Sequence, residues 1–124
     1  MFKKLIVALA IVGPLASTVP TLAQKAGPNG GLLAGKAGHE TELVVTATEL
    51  AVFVINDGKA HSTKGVKIKG VVQQSGKTTT IEFTAADDKK LVAKLAEPLA
   101  KGAIVVLTGK DDHGDAISAR YVIN

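Results

Sequence analysis

Lys64–Thr84 reads KGVKIKGVVQQSGKTTTIEFT, and its side chains alternate. Val66, Ile68 and Val72 fall on one side of an extended chain, and Lys67, Lys69 and Gln73 on the other. After Ser75-Gly76 the alternation resumes, with Thr79, Ile81 and Phe83 against Thr80, Glu82 and Thr84. A period of two is the mark of a half-buried strand. A Ser-Gly pair between two such runs is a tight hairpin turn. The stretch is therefore two antiparallel strands with one apolar face, and that face needs a second layer to cover it.

The same reading extends in both directions. Leu32–Lys36, Thr41–Ala47 and Leu50–Asn56 are β-branched or alternating runs before it; Lys90–Leu95, Ala103–Gly109 and Ala116–Ile123 follow. Asn56-Asp57-Gly58 supplies residues that accept left-handed backbone angles at a strand end. Within Asp87–Lys101, Leu91, Leu95 and Leu99 have helical spacing, but Pro98, Gly102 and the shortness of the run favour a strand and a loop. Seven to eight short strands at this spacing predict an all-β fold, an antiparallel β-sandwich of Ig-like architecture. The Cys and Trp pattern of antibody domains is missing, since the chain has no cysteine and no tryptophan.

Residues 1–23 read as a secretory signal peptide. Lys3 and Lys4 give a charged start, Leu5–Val12 a short apolar run, and Thr21-Leu22-Ala23 a cleavage site after Ala23. The apolar run is far short of the roughly 20 residues that span a bilayer. The expected order is a leader at 1–23, a flexible arm at 24–31 (QKAGPNGG) and one sandwich domain at 32–124. The full chain has 15 basic and 11 acidic residues. Losing two lysines with the leader leaves 13 against 11, a net +2. That is no nucleic-acid footprint. Export without disulfides points to a bacterial periplasm.

No nucleophile elbow, phosphate loop, zinc-protease helix or dinucleotide fingerprint occurs, so no catalytic residue is assigned and a non-enzymatic binding role is expected. The three histidines, His39, His61 and His113, all fall between the expected strands. If every strand crosses the sandwich, successive turns alternate between its ends. The three then share one rim with Asp57, Asp87, Asp88, Asp111, Asp112 and Asp115. Imidazole with carboxylate is a mixed nitrogen and oxygen donor set for Zn, Cu, Ni or Co. The candidate metal ligands are His39, His61 and His113, supported by Glu40, Asp57, Asp111 and Asp115. The alternative is a protein-interaction module of the cell envelope, docking a partner through Lys64, Lys67 and Lys69. Those lysines also suit a solvated or protected sheet edge.

Several stretches carry a resemblance: Gly27-Pro28-Asn29-Gly30-Gly31, Gly38–Val45 (GHETELVV), Val54–Lys59 (VINDGK) and Leu95–Ala103 (LAEPLAKGA). With them the chain resembles small periplasmic proteins similar to the N-terminal domain of heavy-metal efflux adaptor (membrane fusion) proteins. The resemblance implies a β-sandwich working near metal export, with an efflux or envelope protein as partner. It places His39 where that pattern keeps a histidine before the second strand. Asn29 stands where the pattern often has another.

Overall fold

The computed structural model describes residues 24–36 and 38–124, so the leader expected at 1–23 lies outside it. These residues form an antiparallel two-sheet sandwich with no helix. The strands are β1 (Lys25–Ala26), β2 (Leu32–Lys36), β3 (His39–Val45), β4 (Glu49–Asn56), β5 (Lys59–His61), β6 (Lys67–Gln74), β7 (Lys77–Glu82), β8 (Thr84–Asp87), β9 (Lys90–Lys94), β10 (Ile104–Lys110) and β11 (Ala116–Val122). The larger sheet runs β1-β2-β3-β4-β9-β8, with β5 also on β4; the smaller runs β11-β10-β6-β7. Among the described residues no helix is long and apolar enough to cross a membrane.

The alternating hairpin is β6–β7. Its two-residue turn has Ser75 at φ 53° and Gly76 at φ 72°, the left-handed pair whose twist matches the strands. Asp57 and Gly58 repeat that geometry between β4 and β5. Two expectations need correction here. The run Thr78–Thr84 is not one strand: it breaks at Phe83, where the chain leaves the small sheet and enters the large one as β8. Phe83 packs against the core at that crossing. His39 and His61 are not between strands. His39 opens β3, and His61 closes β5, the short return made by the Asp57-Gly58 turn, opposite Val54.

The core lies between the sheets. Leu43, Leu50, Val52 and Leu91 meet Ile68, Val72, Val105, Leu107, Ile117 and Ala119. Burying one such side chain contributes about 1.5–3 kcal/mol. Tyr121 on β11 is fully buried and reaches across to β3. Its hydroxyl donates to the Thr41 carbonyl at 2.6 Å. That uses its one proton, so the Thr41 hydroxyl donates to Tyr121 Oη, also at 2.6 Å. Burial pushes the phenol above its ordinary value; the Thr41 hydroxyl opposes this, and Glu42 and Glu40 reinforce it. Tyr121 is a permanent donor joining the two sheets.

Glu42 is the other buried polar group. In register it stands between Leu33 and Phe53 on the outer side of the large sheet, yet it has no exposure. The β1–β2 turn covers it. Glu42 accepts hydrogen bonds from the Asn29 amide at 2.8 Å, Asn29 Nδ2 at 2.9 Å and the Gly31 amide at 2.7 Å. A side chain at Gly27 would collide with the Glu42 carboxyl, and one at Gly31 with the Leu43 carbonyl. The segment expected as a flexible arm is thus seated on a carboxylate.

Tyr121→Phe leaves the Thr41 carbonyl and hydroxyl without their partner and should cost about 1–3 kcal/mol in urea unfolding. Glu42→Ala should free the β1–β2 turn while β3 and β4 stay paired. Trypsin cleavage after Lys25 would then be faster than in the wild type at equal global stability.

Candidate functional site

The rim is built where three chain segments meet. β3 starts there with His39, β5 ends there with His61, and the β10–β11 turn brings Asp111–Asp115. A cleft of about 210 Å³ opens between them, lined by all three histidines with Glu40, Asp111 and Asp112. At ~30 Å³ per water this holds about seven waters, or one partly hydrated ion.

Asp111 is the organising residue. Its Oδ1 accepts from the Asp115 amide at 2.8 Å and the His113 amide at 2.9 Å. The Asp111 amide in turn donates to the Asp115 carbonyl at 2.9 Å. The turn therefore occupies one carboxylate oxygen and fixes the other. Oδ2 points at His39 Nδ1 from 4.0 Å. That is longer than a hydrogen bond, which closes at ~2.7–3.2 Å. It is close to the ~3.4 Å between two donors bound to one ion with bonds of ~2.1 Å. One donor atom each from His39, Asp111 and Asp115 lies within 4.8 Å of the others.

Asp111 is only 13% exposed, and His39 is 50% exposed. Partial desolvation raises the Asp111 carboxyl. The Asp115 and His113 amides and the His113 and His39 imidazoles more than offset it, and the net direction is downward. The carboxylate form therefore persists to lower pH than usual.

The other expected residues are placed as follows. Glu40 lines the cleft, half-buried. His61 and His113 line it outside the three-residue cluster, and His113 Nε2 lies 3.7 Å from Asp112 Oδ1. Asp57 sits at the tip of the β4–β5 turn and lines no part of the cleft. Asp87 and Asp88 line a different cleft, and the Asp88 carbonyl accepts from the Thr63 amide at 2.7 Å. Asn56 and Ser62 also line the histidine cleft. No residue pattern announced them, because their position depends on how the β4–β5 hairpin lies against the β10–β11 turn. Comparison with protein-family models, curated proteins and solved structures gives no match.

A carboxyl held below its ordinary value stabilises the fold above the unfolded value, 3.8, and loses that contribution as pH falls through the folded one. Asp111→Asn keeps the Oδ1 acceptor and removes the charge. The wild type should be more stable than this variant near neutral pH. The difference should vanish well below pH 3.8 in acid-unfolding curves followed by circular dichroism.

Proposed function

We propose that the protein is an exported, periplasmic, non-enzymatic β-sandwich that binds a divalent metal ion at this rim, in association with metal efflux. The observation that carries the reading is the convergence of His39, Asp111 and Asp115 donor atoms within 4.8 Å. Asp111 Oδ2 is pre-aimed by the turn, so little ordering is left to do when an ion arrives. His61 or His113, from the same cleft, supplies a further imidazole. The donor set suits Zn, Cu, Ni or Co better than Ca or Mg, which prefer oxygen alone. His39 and Asp115 are exposed, so the ion keeps water and exchanges readily, which suits carriage rather than a structural role. The periplasmic address rests on the leader, and the efflux association on the resemblance around His39.

Calorimetry of the chain from Gln24 onward with Zn, Cu, Ni and Co tests this. One ion should bind tighter than about 0.1 mM, or roughly −5.5 kcal/mol. Affinity should fall as pH drops through about 6.5, where imidazoles take up protons. His39→Ala with Asp111→Ala should abolish binding. No binding tighter than about 0.1 mM, or binding untouched by that pair, overturns the reading.

A further inference from the structure

The outward side of the small sheet gathers four of the thirteen basic residues that follow Gln24. Register places four rows there. Val122, Ile104, Gln73 and Thr78 form the first; Arg120, Val106, Val71 and Thr80 the second. Ser118, Thr108, Lys69 and Glu82 form the third; Ala116, Lys110 and Lys67 the fourth. The face thus has four cations and one acid, more net charge than the chain from Gln24 onward has in total. The sequence marked Lys67 and Lys69, but only the pairing of β10 with β6 brings Lys110 directly opposite Lys67. Like charges in that position repel and weaken a sheet. None of the four cations has a carboxylate oxygen within 4.0 Å among the described residues. Glu82 faces Lys69 across the sheet, whereas no acid shares the row of Lys67 and Lys110.

Lys67 and Lys69 also form one lip of a cleft of about 910 Å³, continued by Lys64. β7 leaves β6 at Lys69, and the chain crosses at Phe83 to the large sheet, so the side of the sandwich stands open there. The floor is apolar: Val66, Ile68, Phe83 and Leu91. Asp87 and Asp88 line the cleft on the large-sheet side and repel acid there, and Glu82 lines it beside Lys69.

We propose that this face docks an extended acidic segment of a partner protein. Its carboxylates lie on Lys67, Lys69 and Lys110, and one aliphatic side chain enters the cleft beside them. A lipid surface is the poorer fit: the four rows hold no aromatic residue, and interfacial anchoring draws on Trp, Tyr and Phe. Four strands at ~4.8 Å and seven residues at ~3.3 Å give a face of roughly 400 Å². That is about half the ~800 Å² per partner of a stable complex. The complex is therefore transient and steered by charge.

Fluorescence anisotropy with a short fluorescein-labelled peptide, glutamates flanking one leucine, tests this. The peptide should bind the wild type and weaken steeply with salt as the Debye length falls from ~30 to ~8 Å. Lys67→Gln with Lys110→Gln should weaken binding about tenfold. Lys94→Gln with Lys101→Gln, the same charge change away from this face, should alter it less than about twofold. Lys110→Glu should weaken binding while raising Tm, because it replaces a repulsive pair with an attractive one; that separates lost docking from lost folding. Equal weakening by the control pair overturns the proposal. So does equal binding of a glutamine peptide, or binding to phosphatidylglycerol vesicles without binding to the peptide.

Discussion

The hydrogen bonds between Tyr121 and Thr41 set the relation of the two sheets, and the site depends on that relation. Thr41 lies two residues into β3 from His39, while β11 leads from Tyr121 back to Asp115. Joining these strands through a buried phenol fixes how far the start of β3 sits from the β10–β11 turn. Aliphatic packing alone tolerates small slides, because dispersion contacts carry no direction. Two 2.6 Å bonds inside an apolar core do not tolerate them. The approach of His39 to Asp111 follows from this constraint.

Charge is divided between two adjoining parts of the molecule, with Lys110 of the small sheet leading straight into Asp111 of the rim. The rim collects His39, His61, His113, Asp111, Asp112 and Asp115 in turns and strand ends, where left-handed and Asx geometries place short polar side chains. The outward face of the small sheet collects lysine and arginine at alternate strand positions. A net charge near neutrality hides both. The two parts offer different chemistry: one offers nitrogen and oxygen donors to a cation, the other offers ammonium and guanidinium groups to acids.

Most of the fold was legible because alternation is local. Val66, Ile68 and Val72 report their inward side without reference to any other segment, and Ser75-Gly76 and Asp57-Gly58 report their turns for the same reason. β1, β5 and β8 were not legible. Each is four residues or shorter and exists because a neighbouring strand offers it a ladder. The burial of Glu42 was not legible for the same reason. Glu42 occupies an outward position, and a turn more than ten residues away buries it and gives it its partners.

Of the seven candidate ligands, three converge, three line the same cleft and Asp57 stays outside. Turn parity, which needs only the number of crossings, brought the three histidines and the Asp111–Asp115 turn together, while Asp57, Asp87 and Asp88 fall outside their cleft. Which imidazole meets which carboxylate was decided by the tertiary structure. So were the buried partners of Glu42 and the neighbour of Lys67. The sequence by itself determined the sandwich, its inward residues and its principal turns, because those follow from periodicity and backbone preference within a few residues; the count of crossings added the common end of the histidines. Contacts between segments follow from sheet order and register, which arise when distant strands bury one another's apolar faces.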